Sequence, residues 1–185
     1  RRGDDVAPYL HQLRAWEAAE AERSFMVTSG TGSGKTECFM IPMLNDLLRQ
    51  SQGRRKQGVQ AIVLYPLNAL IDSQKERLSE WIDPLSDRLT YTLYNRYLHE
   101  SLPARQQRHG AEIRDRKTLR TDPASVLVTN VTMLEYMLMR AQDRTILEKS
   151  QGTLRWIVLD EAHSYVGAQA AEMALLLRRV RDAFG

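Results

Sequence analysis

The apolar and polar residues of this chain alternate on two different scales. Short apolar runs predict buried strands, and longer segments with apolar residues at every third or fourth position predict helices. Strands are expected at residues 25–28, 61–65, 126–129 and 156–159, and residues 90–94 alternate in a β-like way. Helices are expected at residues 10–21, 35–49, 68–81, 103–117 and 169–184, with a short one ending at 139. Short strands that alternate with helices predict an α/β fold, with a mostly parallel sheet inside a three-layer domain.

Composition narrows the class of protein without naming a partner. The 185 residues suffice for about one domain, and 43% of them are hydrophobic and 26% charged, which is ordinary for a globular protein. The net charge of +3 is compatible with nucleic acid but does not by itself indicate it. No apolar run approaches the length of a membrane span and no signal-peptide pattern is visible, so no membrane association is expected. The single Cys38 excludes an internal disulfide and a cysteine cluster for zinc, and it favours a cytoplasmic setting.

A glycine-rich loop stands between the first predicted strand and the second predicted helix. Its glycines let backbone N–H groups turn towards phosphate oxygens, and the helix start adds free N–H groups and the positive end of its dipole. Lys35 can reach the β and γ phosphates of a nucleotide, and the Thr36 hydroxyl can hold Mg²⁺. The first position of the motif G-x-x-x-x-G-K-[ST] holds Ser29 instead of glycine. The predicted phosphate-binding residues are Ser29, Gly30, Thr31, Gly32, Ser33, Gly34, Lys35 and Thr36.

A pair of acidic residues ends the last predicted strand. Residues 154–159 are a nearly continuous apolar run, and Asp160 and Glu161 follow directly. A strand that delivers two carboxylates at its carboxyl end is what a Mg²⁺-dependent NTPase needs. Asp160 would hold the metal, directly or through water, and Glu161 would orient and deprotonate the attacking water. Together with Lys35, these two acids are the predicted catalytic residues.

With these two motifs in place, the chain resembles the DEAH-box class of superfamily 2 helicases and translocases. The segment Asp160–His163 reads Asp-Glu-Ala-His, the sequence after which the class is named. The resemblance implies a RecA-like motor lobe in which His163 links the ATP site to the nucleic-acid-binding face. The segment Tyr9–Gln12, upstream of the phosphate loop, is similar to the glutamine motif of these enzymes. By that similarity, Gln12 is expected to read the adenine base of ATP.

Two further segments resemble nucleic-acid-binding motifs of the same class. The segment Tyr65–Gln74 is similar to P-T-x-A-L-x-x-Q, with Leu67 in place of the usual threonine. The segment Val128–Leu134 is similar to T-N-P-x-M-L, with Val131 where proline is common. The nucleic-acid contacts implied by the resemblance are Pro66, Leu67, Asn68, Thr129 and Asn130.

A subgroup of this class carries D-E-x-H-x-Y-x-G followed by a helix that ends in L-R-R. Tyr165, Gly167 and Leu177–Arg179 stand in those places here. The subgroup contains large bacterial and archaeal DNA helicases with a C-terminal cysteine-rich domain, some in DNA repair and some in anti-phage defence systems such as DISARM. The resemblance implies DNA as partner, either single-stranded or a duplex with a single-stranded end. It also implies a second helicase lobe of the same protein and, for some members, subunits of a defence or repair complex.

The order of the motifs predicts where this chain belongs in such an enzyme. No serine-alanine-threonine motif and no second lobe follow the DEAH segment, so residues 1–185 are expected to be the N-terminal ATP-binding lobe of a longer helicase. Three alternatives stay open: an RNA helicase, another P-loop enzyme such as a kinase, and a non-enzymatic nucleic-acid-binding module. A kinase would need a base for the acceptor hydroxyl and a lid. A non-enzymatic module would not need the intact Lys35, Thr36, Asp160 and Glu161.

Two basic segments admit two interpretations each. Residues 54–56, in a loop bounded by glycines, could contact phosphates or could simply be solvated. Residues 105–120 carry seven basic side chains in a stretch expected to be helical, and that helix could face DNA or solvent.

Overall fold

The computed structural model describes residues 7–30 and 32–185 of the chain. By its contacts the chain divides into two compact units, Arg1–Gln50 and Ser51–Gly185. The phosphate loop belongs to the first unit. The acidic pair and both expected nucleic-acid segments belong to the second.

The first unit contains two helices joined by a loop. Helix α1 spans Leu10–Glu20, and helix α2 begins at Lys35 and continues to Ser51, just past the boundary. The strand expected at residues 25–28 is absent: these residues have no regular structure, and Met26 is 83% exposed. A strand forms only where its backbone groups pair with a neighbour, and every strand among the described residues lies in the second unit.

The second unit is built on a six-stranded sheet. Its strands are β1 (Ala61–Leu64), β2 (Tyr91–Tyr94), β3 (Arg108–His109), β4 (Glu112–Ile113), β5 (Val126–Thr129) and β6 (Trp156–Leu159). They lie in the order β3-β4-β2-β5-β1-β6, and only the β3–β4 pair is antiparallel. The prediction of a mostly parallel sheet is therefore confirmed. Every residue of β1, β2 and β5 is buried, as expected for parallel strands covered on both faces.

Helices cover both faces of this sheet. The helices of the second unit are α3 (Asn68–Ser73), α4 (Lys75–Ile82), α5 (Arg116–Thr121), α6 (Val131–Met139), α7 (Arg144–Lys149) and α8 (Ala168–Phe184). Tyr94 belongs to the apolar core formed with α6, α7 and α8. Tyr91 is three residues earlier and so faces the other side, where its hydroxyl lies 2.7 Å from the Ser79 hydroxyl of α4. The expected three-layer arrangement is present in this unit.

Two helices were not predicted, and one predicted helix is divided. The helix expected at 68–81 is interrupted at Gln74, where α3 ends and α4 begins. The short helices α5 and α7 have six residues each, too few for a periodic apolar pattern to stand out. Asp115 begins α5 by accepting a hydrogen bond from Thr118 N–H at 2.9 Å, a capping bond that is local in sequence and could have indicated the helix start.

The helix expected at residues 103–117 is wrong. The segment forms a single 3-10 turn at Ala104–Gln106, then the β3–β4 hairpin, and becomes helical only at Arg116. Gly110 connects the two strands with φ of +56°, a left-handed conformation that favours glycine. A Cβ atom at this position would collide with the carboxylate of Asp83, which accepts a hydrogen bond from Ala111 N–H at 2.8 Å.

Candidate functional site

The phosphate loop of the first unit has the backbone that a phosphate cradle requires. Gly32 and Gly34 have φ of +73° and +75°, where a Cβ atom is disfavoured. Helix α2 begins immediately after them, so its first N–H groups and the positive end of its dipole lie at the end of the loop. Thr31, also predicted for this loop, lies outside the described residues.

Hydrogen bonds within the loop hold it in a compact turn. The hydroxyls of Ser29 and Ser33 lie 2.5 Å apart, and Ser33 also donates to Gly30 C=O at 2.7 Å. The Lys35 ammonium donates to Ser29 C=O at 3.0 Å, so the lysine side chain folds back over its own loop. An ammonium carries three protons, and one bond to the loop is compatible with further bonds to an anion. Ser29, at the position where glycine is usual, thus contributes both its hydroxyl and its carbonyl to the turn.

Helix α1 is bonded to this loop through side chains. Gln12 is only 7% exposed; its Oε1 accepts from Tyr9 N–H at 2.9 Å, and its Nε2 donates to Gly34 C=O at 3.1 Å. His11 Nε2 lies 2.9 Å from Ser33 C=O. Both amide atoms of Gln12 therefore bind the chain itself, while reading of adenine by Gln12 stays a prediction. These hydrogen bonds from α1 to the loop were not predicted, although the glutamine motif ahead of the loop is visible in the sequence.

The acidic pair lies at the carboxyl end of β6 in the second unit. Asp160 N–H donates to Leu64 C=O at 3.0 Å, which continues the pairing of β6 with β1 by one residue. Glu161 leaves the strand in a left-handed conformation, with φ of +50° and ψ of +40°. Its N–H donates to Asp160 Oδ1 at 2.9 Å. A left-handed non-glycine residue is uncommon and is over-represented at functional sites.

His163 lies next to this pair. Its Nδ1 is 3.2 Å from Glu161 Oε2, and the side chains of His163 and Glu161 are 81% and 41% exposed. Both groups are thus accessible while they contact each other. The sequence-predicted Asp160, Glu161 and His163 are brought together at one strand end, as the DEAH motif requires.

Tyr65 contacts the same strand end and was not predicted as a site residue. Its side chain is buried, and its hydroxyl forms a hydrogen bond with the Asp160 carboxylate. Burial, followed by the negative charge of Asp160, raises the pKa of Tyr65 well above its usual range, so the phenol is protonated and donates to the carboxylate. This contact depends on the register of β1 against β6, which the sequence alone does not reveal.

The two expected nucleic-acid segments meet at the carboxyl ends of β1 and β5. Leu67 is 64% exposed. Asn130 starts α6 by accepting from Met133 N–H at 2.8 Å, and its Nδ2 donates to Asn68 Oδ1 at 2.5 Å. Thr129 differs, because it is fully buried and its hydroxyl donates to Tyr94 C=O at 2.6 Å. Thr129 therefore anchors β5 to β2 instead of presenting its hydroxyl to a ligand, and Pro66 and Asn68 flank the exposed Leu67.

The basic segments are engaged in ion pairs. Arg55 donates to both carboxylate oxygens of Asp122, at 2.6 and 2.7 Å, and Arg108 contacts the same carboxylate. Arg120 donates to the buried Asp143 at 2.9 Å and also contacts Glu100. These arginines therefore stabilise the second unit: Arg55 is mostly buried in its ion pair, and Arg108 lies in a strand of the hairpin instead of a helix.

The described residues are suited to a magnesium ion that is bound partly by a nucleotide, and not to a metal ion bound by protein side chains alone. Mg²⁺ prefers oxygen ligands and is usually bound by one or two carboxylates together with substrate phosphates. Asp160 offers such a carboxylate, held in place by Glu161 N–H and the Tyr65 hydroxyl. Within residues 7–30 and 32–185, no group of three or more histidine, cysteine or acidic side chains is arranged to hold a metal ion. In the same residues, no helix is both long and apolar enough to cross a membrane.

Comparison with known proteins gives a consistent result. A family model described as DEAD/DEAH box helicase matches residues 9–184. The chain is 27% identical to the Druantia protein DruE of Escherichia coli (strain UMEA 4076-1), covering 94% of this chain and 15% of that protein. It is 28% identical to the uncharacterized ATP-dependent helicase YprA of Bacillus subtilis (strain 168), covering 98% of this chain and 21% of that protein.

Solved structures show the same fold. The DUF1998 helicase MrfA superposes with a TM-score of 0.68 at 27% identity, covering 98% of this chain and 25% of that one. The helicase Lhr of Mycobacterium smegmatis, bound to single-stranded DNA and AMP-PNP, superposes with a TM-score of 0.69 at 24% identity, covering 96% and 21%. The chain thus spans a quarter or less of the length of these proteins.

Proposed function

The chain belongs to the DEAD/DEAH box helicase family, and from that premise we propose that it is the ATP-binding motor lobe of a DNA helicase or translocase. The observation that carries the proposal is the end of β6. There Glu161, in a left-handed backbone, is bonded to Asp160 and contacts His163. A left-handed backbone at a non-glycine residue costs folding free energy, and such residues cluster at active sites.

Each predicted residue has a role in this proposal. The loop from Ser29 to Thr36 binds the phosphates of ATP with its backbone N–H groups, and the Lys35 ammonium pairs with the negative charge of the β and γ phosphates. Thr36 and Asp160 are the proposed ligands of Mg²⁺, which would neutralise charge on those phosphates. Glu161 orients the attacking water and accepts its proton.

His163 provides the link between hydrolysis and the nucleic-acid face. Its imidazole contacts the Glu161 carboxylate at 3.2 Å, so a change in position of one affects the other. A helicase must convert the hydrolysis of ATP into movement along a strand. The contact between the base and an exposed histidine gives a direct route for that conversion.

DNA is the proposed partner, single-stranded or a duplex with a single-stranded end. Support comes from MrfA, whose structures include one bound to DNA and one bound to DNA and AMPPNP. RNA is the second candidate, since a Dictyostelium discoideum relative at 26% identity is named a probable RNA helicase. The proposed contacts are Pro66, Leu67, Asn68 and Asn130, while the buried Thr129 anchors the strand that positions Asn130. Family membership and the acidic strand end disfavour a kinase and a non-enzymatic module.

We further infer that residues 1–185 are one lobe of a two-lobe motor. The relatives are four or more times longer than the segment that this chain covers, as the 15% and 21% shares of DruE and YprA indicate. In such a motor ATP lies between two lobes, and the second supplies the arginine that neutralises charge on the γ-phosphate. A role in anti-phage defence or DNA repair, with subunits of such complexes as partners in the cytoplasm, is the proposed setting.

The test is the ATPase activity of the intact protein with and without single-stranded DNA. Glu161→Gln keeps the size of the side chain but cannot accept the proton of water, so we expect nucleotide binding to persist and turnover to fall at least about 100-fold. Lys35→Ala should weaken nucleotide binding itself. Glu148→Gln is the matched control, because Glu148 is an exposed surface residue paired with Arg144. Turnover by Glu161→Gln equal to that of Glu148→Gln would refute the assignment of Glu161.

A salt titration tests the nucleic-acid footprint. Contacts to phosphate and sugar should be insensitive to base sequence and should weaken steeply as salt rises. Single-stranded DNA and RNA of the same sequence, compared by fluorescence anisotropy, distinguish the two candidate partners. An affinity that is independent of salt would contradict a footprint on the ends of β1 and β5.

A further inference from the structure

Tyr65 is placed where three functional segments of the second unit meet. Strand β1 lies between β5 and β6, and Leu64 is in register with Thr129 on one side and Leu159 on the other. Tyr65 is the first residue after β1, so it lies beside Asp160, the first residue after β6. Its N–H donates to Thr129 C=O at 2.9 Å, which ties it to the end of β5 as well.

The side chain of Tyr65 acts on the Asp160 carboxylate. It is 2% exposed, and its hydroxyl hydrogen-bonds to that carboxylate. Asp160 Oδ1 also accepts from Glu161 N–H at 2.9 Å. Two donors from different parts of the chain therefore fix the direction in which the carboxylate points, one from its own strand end and one from β1.

The backbone of Tyr65 leads directly into the proposed nucleic-acid segment. Pro66, Leu67 and Asn68 follow it, and Asn68 is hydrogen-bonded to Asn130 at 2.5 Å. Tyr65 is therefore adjacent in the chain to the proposed strand-binding segment and is hydrogen-bonded to the Asp160 carboxylate. A bound strand that displaced residues 66–68 would act on Tyr65 directly.

We propose that Tyr65 is a positioning residue for ATP hydrolysis, which orients Asp160 for Mg²⁺ and transmits nucleic-acid binding from residues 66–68 to that carboxylate. The inference rests on the proposed function and adds to it a residue that the helicase motifs do not assign. If Tyr65 had only a structural role, any acceptor would satisfy its buried hydroxyl, and removal of the hydroxyl would leave the Mg²⁺ concentration needed for nucleotide binding unchanged. A positioning role predicts that this concentration rises.

Tyr65→Phe in the intact protein is the informative variant, because it keeps the aromatic ring and removes one hydrogen bond. Partners that orient a metal-binding residue typically change metal affinity or activity by about 10- to 100-fold when removed. We therefore expect the half-saturating Mg²⁺ concentration for binding of a fluorescent ATP analogue to rise by at least about tenfold. The stimulation of ATPase activity by single-stranded DNA should fall in parallel.

Tyr91→Phe is the matched control. Tyr91 is also fully buried in the same sheet, and its hydroxyl bonds to Ser79 at 2.7 Å, away from the acidic pair. The Tyr91→Phe variant should keep the half-saturating Mg²⁺ concentration and the stimulation of ATPase activity by single-stranded DNA within about twofold of wild type, because the hydrogen bond it removes has no part in metal binding. Melting temperatures of the two variants show whether their folding is equally affected.

The outcomes separate the inference from the function on which it rests. A Tyr65→Phe protein with the wild-type magnesium requirement overturns the inference, and so does an equal rise in both variants. A wild-type protein without DNA-stimulated ATPase activity would refute the proposed function. The binding titration would still decide the role of Tyr65 in that case, because it requires no turnover.

Discussion

Replacement of Gly34 by alanine should loosen the phosphate loop more than the same change at Gly32. Both residues have left-handed backbones, with φ of +75° and +73°, and alanine there costs about 1–2 kcal/mol. A Cβ at Gly34 would lie 2.5 Å from Gln12 Nε2, whereas one at Gly32 would meet nothing within 4 Å. Gln12 must then move and lose its bond to Gly34 C=O, which adds about 0.5–1.5 kcal/mol. We expect totals of about 1.5–3.5 kcal/mol for Gly34→Ala and about 1–2 kcal/mol for Gly32→Ala.

Native-state hydrogen exchange measures this difference where it arises. Peptides from α1 and from the start of α2 report the opening of the first unit directly, without unfolding of the second. An added cost of about 0.5–1.5 kcal/mol corresponds to exchange about 2- to 13-fold faster in Gly34→Ala than in Gly32→Ala. The two substituted glycines lie two positions apart in the same loop, so each variant serves as the control for the other.

A double-mutant cycle assigns the cause of the difference. In a Gln12→Ala background the collision with Gln12 and its hydrogen bond are both absent, and only the contact of the new Cβ with Glu37 Oε2 at 3.2 Å remains, so the Gly34→Ala penalty should fall close to that of Gly32→Ala. Two results would refute the reasoning. One is equal exchange in the two single variants. The other is a Gly34→Ala penalty that is unchanged when Gln12 is removed.

Three further predictions concern the second unit and the isolated chain. Burial alone would raise the pKa of Asp122, but Arg55 and Arg108 hold it below its usual value, so Asp122→Asn should cost about 1–3 kcal/mol at pH 7 in urea denaturation. That loss should shrink as the pH falls below about 4, where the carboxyl of the unfolded chain becomes protonated, and it should disappear below the lowered pKa of folded Asp122, where the ion pairs are lost. Tyr94→Phe removes a hydrogen bond to the buried Asp143 carboxylate and should lower the free energy of unfolding by about 1.5–3 kcal/mol in urea denaturation. Tyr91→Phe removes a bond to a neutral hydroxyl and should lower it by about 0.5–1.5 kcal/mol. The reverse order would contradict the stabilising effect of the Asp143 charge. The isolated chain should hydrolyse ATP about 10³- to 10⁵-fold more slowly than the DNA-stimulated intact protein, and rates within tenfold would refute the single-lobe proposal.

Local sequence patterns were sufficient for the elements that carry the motifs. The apolar runs at 61–65, 126–129 and 156–159 contain strands β1, β5 and β6. Strands β1 and β5 are buried on both faces, as a continuous apolar run predicts, whereas β6 ends the described sheet and is only partly buried. The phosphate loop and the acidic pair are likewise short and contiguous. Such features depend on few residues outside themselves, so the sequence specifies them.

Features that depend on distant partners were not predictable in this way. The run at 25–28 is as apolar as a strand, yet a strand requires a neighbour that no local pattern reveals. Arg55 belongs to a segment expected either to bind phosphate or to be solvated, but it pairs with Asp122, 67 residues later in the chain. Only the folded chain shows that these charges neutralise each other.

The role of Asp160 illustrates the same limit within a recognised motif. Its proposed role as a metal ligand follows from the resemblance to the DEAH motif, but its hydrogen bond to Tyr65 joins it to a residue 95 positions earlier in the chain. That contact follows from the pairing of Leu64 with Leu159, since a shift of one residue in this register would turn the phenol to the opposite face. Strand β1 lies between β5 and β6, and Tyr65 at its end is hydrogen-bonded to both Thr129 and Asp160. In the proposed motor, β1 is the strand that joins the expected nucleic-acid segment at residues 66–68 to the carboxylate proposed for magnesium.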